Sequence, residues 1–369
     1  TRLMPDLLSP IWGPAANAVP TYTPREWESL LGQARRAGLL ARLARLYRDR
    51  GWTATLPEQV ALHMDGALRQ VARQRTEVLW EIDQIRKALR NVRTPVVLLK
   101  GAAYLFADLP PSKGRLFSDI DIMVDSSQLP EVERALFSGG WISAERDAYN
   151  QRYYRQWMHE IPPLRHVSRG TVIDLHHTIA PPTSRFRIDG KLLMEHIRPT
   201  KTAGLFVLGP TDMVLHSAAH LYQEGEFDHA LRDLLDMHDL LEHFGTTPDF
   251  WRSLLSRAKV TGLEEPLYHA LSHNRRLFGL TVPHGMEAGV SAFRPNRLAG
   301  TVLEALLKEA FRPNHPDCET TWTGLVRWLL YVRSHGMRMP FHLLVPHLMR
   351  KAFMARFPPE RAATNVGRG

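Results

Sequence analysis

Between Thr94 and about Gly209 the chain leaves helical periodicity for short apolar runs, VVLLKG, SDIDIMV, TVIDLHH and GLFVLG, each too brief to be a helix of its own. Short runs rich in Val, Ile and Leu and bounded by Gly, Pro or Ser read as buried strands. Strands must pair with one another, whereas both flanks of this region repeat apolar residues every three to four positions. That restricts the chain to an α+β fold: a small mixed-sheet core at residues 94–209, with helical regions at 1–93 and 210–369.

On the N-terminal side, EWESLLGQARRAGLLARLARLYRDR reads as helix up to a break at Gly51-Trp52. Beyond Pro57, Val60, His63, Ala67, Val71, Val78, Ile82 and Ile85 mark one face of a long helix. Inside the core, AAYLFADL suits a short helix. DSSQLPEVERALFSGGW suits another, with Asp125, Ser126 or Ser127 as its cap and Gly139-Gly140 ending it. IPPLRHVSRGTVIDLHHTI reads as two strands around Ser168-Arg169-Gly170, a connection short enough for a hairpin. Downstream, TDMVLHSAAHLYQ, ALRDLLDMHDLLEHFG, DFWRSLLSRAKVTG, NRLAGTVLEALLKEAF and WTGLVRWLLYVRSHG are all patterned as helices.

Composition enters mainly as exclusions. With 44% hydrophobic and 23% charged residues over 369 positions, wholesale disorder is ruled out. No run approaches the ~20 apolar residues of a bilayer crossing, and TRLMPDLLSPIWGP lacks the layout of a signal peptide. A cytoplasmic protein is therefore expected. The lone Cys318 excludes an internal disulfide framework and a multi-cysteine zinc site, so a metal here would be held by oxygen or imidazole. The balance of 47 Lys+Arg against 38 Asp+Glu, net +9, favours anionic partners: nucleotides, RNA or acidic lipid.

The chemistry concentrates in LLKGAAYLFADLPPSKGRLFSDIDIMV. Alternation along a strand puts Asp119 and Asp121 on one face, while Ile120 and Ile122 face packed helices. Two converging carboxylates suit a hard dication such as Mg²⁺ or Mn²⁺, which commonly bridges to substrate phosphates. Asp174, the one acid in TVIDL, is the natural third carboxylate for a two-metal site. His176 shares the face of Asp174 and could orient it, take a proton, or serve only as a hydrogen-bonded structural residue. His177 points the other way.

Gly101, Arg115, Asp119-Ile120-Asp121 and Asp174-Leu175-His176 together resemble the DNA polymerase beta-like nucleotidyltransferases, most closely the bacterial branch with Leu-Lys-Gly at the first position. The resemblance is strong over residues 94–180 and extends to about 245 through Asp212, His216, His220, Arg232 and Asp236. It implies a nucleotidyltransferase core. Asp119, Asp121 and Asp174 would ligate metal, with Asp174 also able to activate the acceptor. Gly101 would let the nucleotide phosphates approach. Lys100, Lys113 and Arg115 would neutralise the triphosphate, or belong to a solvated basic loop; Ser118 would cap or position the strand. The activity implied is transfer of an NMP, AMP above all, from an NTP such as ATP to a small molecule, a tRNA or a protein. Ala102 replaces the Gly or Ser usual after the glycine and removes a hydroxyl contact. This motivates an alternative, a catalytically inactive module that binds nucleotide or RNA.

A third reading rests on His216 and His220, spaced i, i+4, with His229, Asp233, Asp236 and His238 following: a His/Asp metal phosphohydrolase. Against it, the same residues with Arg232 can form a polar network beside the core. The C-terminal stretch from Trp322, rich in aromatics, Arg and His, is expected to be a helical layer with its basic residues in water, or a surface for membrane or RNA.

Overall fold

A computed structural model of the chain describes residues 6–349 apart from 14–19, 187, 224, 226, 296, 340, 341, 343 and 346–348. The basic C-terminal stretch from Arg350 onward lies outside the described residues. Thr23 and Glu26 form a reciprocal cap that starts α1 (Pro24–Arg36), each side chain meeting the other's backbone N–H. The single N-terminal helix expected from the sequence is in fact two. Gly38 takes φ +68°, open to a residue without Cβ, and the chain turns there into α2 (Leu40–Asp49).

The next helix, α3 (Glu58–Ala88), is long and buries Val60, Met64, Val71, Val78, Glu81, Ile82 and Ile85. This is the expected face with Met64 and Glu81 added, Ala67 half-buried and His63 left off it. Met64 takes the inward position and His63 is exposed, its Nδ1 3.0 Å from an Arg35 guanidinium nitrogen. Helical rotation puts these neighbours about 100° apart, so burying the thioether turns the imidazole outward.

The strand region then unfolds in order: β1 (Val96–Leu98), α4 (Lys100–Phe106), β2 (Ile120–Met123), α5 (Leu129–Ser138), β3 (Trp141–Ser143), α6 (Ala148–Trp157), β4 (Leu164–His166), β5 (Val172–His176), α7 (Gly190–Met194), β6 (Arg198–Pro199) and β7 (Leu205–Val207). Sequence reading left β3 and α6 as a polar, aromatic stretch, because α6 buries no residue and carries no apolar stripe. The seven strands pair in the order β3-β4-β5-β2-β1-β7-β6. β2 runs parallel to β5 and antiparallel to β1, so the sheet is mixed, as expected. β4 and β5 form the expected hairpin around Ser168-Arg169-Gly170.

Glu81, an acid on the buried stripe of α3, explains how that hairpin is held. Arg169 at its tip donates to both Glu81 oxygens at 2.8 Å, and Thr171 Oγ1 donates at 2.7 Å. The Arg169 guanidinium also lies over the rings of Trp80 and Trp141, 5.3 and 4.9 Å from their centroids.

Seven further helices complete the described chain: α8 (Pro210–Gln223), α9 (Ala230–Phe244), α10 (Pro248–Thr261), α11 (Glu264–Phe278), α12 (Glu287–Ser291), α13 (Arg297–Ala310) and α14 (Thr323–Arg338). α8 is central, packing on α9, α10, α11 and α14. The outer face of α14 differs from expectation. Arg333 turns inward to donate to the Tyr222 carbonyl (2.8 Å), while Leu325, Trp328, Leu329 and Val332 are exposed. Among the described residues no helix is long and apolar enough to cross a membrane.

Candidate active site

The turn from β1 into α4 is built around an unusual backbone. Lys100 has φ +44°, a left-handed conformation that costs a residue with Cβ about 1–2 kcal/mol. Contacts at both ends of one residue hold it there. Leu99 N–H donates to the Asp121 carbonyl (3.0 Å), and Lys100 Nζ donates to Asp121 Oδ1 (2.8 Å). Gly101 follows, and its missing Cβ leaves room for side chains of this protein. A Cβ there would lie 3.0 Å from Arg115 Nε and 3.1 Å from Phe117 Cδ1. Gly101→Ala is therefore expected to destabilise the fold by about 1–2 kcal/mol, an overpacking cost that urea unfolding would measure.

Sheet register assembles the acids. In the parallel β2–β5 pair Asp121 stands directly opposite Asp174, which places their backbones about 4.8 Å apart. Asp119 lies one residue before β2, half-exposed, and Ser118 Oγ donates to its Oδ1 (2.6 Å). Ser118 thus positions the first aspartate. His176 Nε2 reaches Asp121 Oδ1 (3.1 Å) and lies 3.5 Å from Glu160 Oε2. His177 turns away, its Nε2 3.2 Å from the Met158 carbonyl.

These neighbours divide the acids electrostatically. Burial pushes the Asp121 carboxyl up, but Lys100 and His176 overcome this and hold it well below the usual range. Asp174 lacks such partners. Burial first, then Glu160, Asp121 and Asp119, push its carboxyl up to about 7. Its Oδ1 is buried with no hydrogen-bond partner among the described residues. An acceptor oxygen left in this way beside two other carboxylates fits a hard cation, which would satisfy it and offset the repulsion.

The raised Asp174 value makes a signed prediction. From near its ordinary 3.8 up to about 7, the folded chain keeps a proton that the unfolded chain has released, so stability falls as pH rises through this window. Asp174→Asn removes that contribution. The difference in melting temperature between variant and wild type should widen in favour of the variant from about pH 5 to pH 8 in metal-free buffer. A difference independent of pH would contradict the assignment.

Beside the acids lies a cleft whose sheet side is lined by Lys100, Gly101, Arg115, Ser118, Asp119 and Asp121. Ser217 and His220 of α8 and Arg232, Asp233 and Asp236 of α9 line the opposite side. Arg115 reaches the cleft but is already engaged. Its guanidinium pairs with Asp236 and lies 3.7 Å from Asp233, while Arg42 of α2 donates to Asp236 (2.6 Å) and pairs with Asp239. Arg115 is thus not part of a solvated loop: it is buried in an Arg–Asp lattice tying α2 to α9 while still lining the cleft. The sequence did anticipate a polar network through Arg232, Asp233 and Asp236. Lys113 is exposed and outside the cleft lining.

Of the histidines on α8, His216 is buried and its imidazole is held well below its ordinary pKa by that burial. The His216 and His220 rings meet edge-on at 6.5 Å, and neither joins a three-ligand metal group among the described residues. His238 packs on Phe278. Among the described residues, His216, His220, His229, Asp233, Asp236 and His238 do not gather into the three-ligand group that a phosphohydrolase centre would need. Sequence reading missed Glu160 and His159, which lie with His176 in a cluster whose ligand atoms are within 4.8 Å of one another. The bridge pairing Glu160 with His176 depends on tertiary folding, and only an acid beside a histidine in WMHEIPP hinted at it. Arg42 was hidden by its place in an ordinary amphipathic helix.

A family described as an uncharacterised nucleotidyltransferase matches residues 23–279. No match is found among curated proteins or among solved structures. The family match takes in α1 to α3 and α8 to α11 as well as the sheet, so the helices supplying Ser217, His220 and Asp236 to the cleft, and Arg42 to the Asp236 pair, lie inside it. The chain belongs to this nucleotidyltransferase family.

Proposed function

Proceeding from that membership, we propose that this chain is a metal-dependent nucleotidyltransferase that moves an NMP, AMP foremost, from an NTP to an acceptor hydroxyl or phosphate. The observation carrying this reading is the alignment of Asp121 with Asp174 on paired strands, Asp119 beside them and Asp174 Oδ1 buried without a hydrogen-bond partner among the described residues. Asp119, Asp121 and Asp174 would hold Mg²⁺ or Mn²⁺. When bound, such a cation polarises the α-phosphate and lowers the pKa of the incoming hydroxyl.

The chain's own groups do the rest. Lys100, its ammonium 2.8 Å from Asp121, lies where it can turn toward the charge of the leaving pyrophosphate. Asp174, opposite Asp121 on the paired strand, would be the group that takes the acceptor proton. The acceptor oxygen forms its bond to Pα as the bond from Pα to the bridging oxygen breaks, and that oxygen leaves with the electron pair as pyrophosphate. His176 keeps Asp121 oriented. Ser217 and His220 on the far wall face the space left for the acceptor, which is a small molecule, a tRNA or a protein.

Calorimetry with each nonhydrolysable NTP, with and without Mg²⁺, tests the proposal on wild type and on Asp119→Asn/Asp121→Asn. Binding that needs the metal and is lost in the double variant supports it. The absence of any NTP binding to wild type would overturn it. Two observations favour a second reading, an inactive nucleotide- or RNA-binding module: Arg115 is paired with Asp236, and Ala102 offers no hydroxyl. Metal-dependent NTP binding without pyrophosphate release, across a screen of acceptors, would select it.

A further inference from the structure

A second cluster of ligand atoms lies in the helical layer, with no residue in common with the cleft. His269 and His273 are one turn apart on α11, and Glu304 faces them from α13. One carboxylate meets both rings: His269 Nδ1 is 3.2 Å from Glu304 Oε1, and His273 Nε2 is 3.5 Å from Glu304 Oε2. A ligand atom from each of the three lies within 4.8 Å of the others. Both imidazoles are completely buried, so neither can turn to solvent to satisfy its nitrogens.

The hydrogen bonds fix which nitrogen of His273 is available. Its Nδ1 is 2.7 Å from the His269 carbonyl oxygen, a contact that is attractive only when Nδ1 carries the proton and donates it. The Tyr222 hydroxyl also stands 3.0 Å from this nitrogen. In the neutral ring, Nε2 is then left with its lone pair directed at a carboxylate oxygen. The Nε2 atoms of both His269 and His273 are buried without a hydrogen-bond partner among the described residues. A lone pair against a carboxylate is repulsive unless a cation lies between them.

We propose that His269, His273 and Glu304 form a binding site for a transition-metal dication of the Zn²⁺ class, clamping α13 onto α11. Two imidazoles and one carboxylate are a donor set for Zn²⁺, Co²⁺ or Ni²⁺ rather than for Mg²⁺, which prefers oxygen alone. The backbone carbonyl that fixes His273 is the kind of second partner that metal-bound histidines use to set their tautomer. The Glu304 side chain is 27% exposed, which gives an ion a path from solvent and leaves room for water as a further ligand. Arg276, 3.4 Å from the same carboxylate, borders this opening. The family match ends at residue 279, so it includes both histidines but not Glu304. The complete site is therefore assembled from the shared region and the chain beyond it.

The test is metal uptake by chelator-treated full-length protein, using Zn²⁺ and then Co²⁺ as probes, with content measured after desalting. Wild type should retain one equivalent of Zn²⁺ and melt at a higher temperature with it. Co²⁺ in the same place should give visible absorption with imidazole ligation in its X-ray absorption spectrum. Glu304→Gln, at a partly exposed position, should weaken retention at least tenfold and abolish the thermal gain, while Mg²⁺-dependent nucleotide binding in the cleft is unchanged. A wild type that retains no Zn²⁺ overturns the proposal and leaves a proton as the occupant of the His273–Glu304 contact. Zn²⁺ that survives Glu304→Gln but is lost in His159→Asn overturns it in favour of the His159–Glu160–His176 cluster. Absence of uptake by wild type is decisive without any variant, and where Zn²⁺ is retained the pair Glu304→Gln and His159→Asn assigns it to one of the two His/His/Glu clusters.

Discussion

Asp121→Asn should lower pyrophosphate formation by on the order of 10³ and remove metal-dependent nucleotide binding, while the fold survives. The amide is nearly the same shape, and the backbone bond from Leu99 to the residue 121 carbonyl does not depend on the side chain. What disappears is the charge that Lys100 and His176 both address through one carboxylate oxygen. Lys100, about a fifth exposed, then loses its nearest counter-charge and is free to move. The effect should exceed that of Asp119→Asn, because Asp119 is half-exposed and its charge is partly screened by water. Pyrophosphate release with a responsive acceptor, or slow hydrolysis of NTP to NMP, gives the readout. Activity within tenfold of wild type would remove Asp121 from the catalytic centre.

The largest stability effect is expected far from that chemistry. Glu81→Ala should cost about 3–5 kcal/mol in urea unfolding, the range seen when one partner of a buried ion pair is deleted. Glu81 is 2% exposed and accepts two bonds from Arg169 and one from Thr171, so its removal leaves three donors unsatisfied. Those donors sit on the hairpin that delivers β5 and hence Asp174. Loss of nucleotide affinity should therefore accompany the loss of stability. Arg169→Ala should cost less, because the guanidinium is 27% exposed and water can solvate part of what it leaves. A Glu81→Ala cost under about 1 kcal/mol would show that the hairpin is held by its apolar contacts alone.

The parts of this fold that are legible in the sequence are those governed by short-range pattern. VVLL and DIDIM could only be buried strands, and alternation was enough to group Asp119 with Asp121 and Asp174 with His176. The opposition of Asp121 and Asp174 depends on strand order, which pattern cannot supply. α6 escaped notice because it buries nothing, and α11 because His269, His273 and Asn274 interrupt its apolar stripe with polar groups that are nonetheless buried. Gly101 was readable as a position of close approach, but the side chains of Arg115 and Phe117 that pack where its Cβ would be were not. Arg115 itself illustrates the limit of reading charge locally. Its partners come from α9, more than a hundred residues further along the chain.

The contact between Lys100 and Asp121 also bears on how the protein behaves when metal is scarce. The ammonium acts as a resident counter-ion, supplied by the chain itself, at the acid that would otherwise most need an external one. Chelation should then leave the fold intact and the strand ends in register. Under the proposed function, loading would be an exchange of one positive charge for another rather than the filling of a bare anionic hole, which would favour cations that arrive already bound to a nucleotide's phosphates.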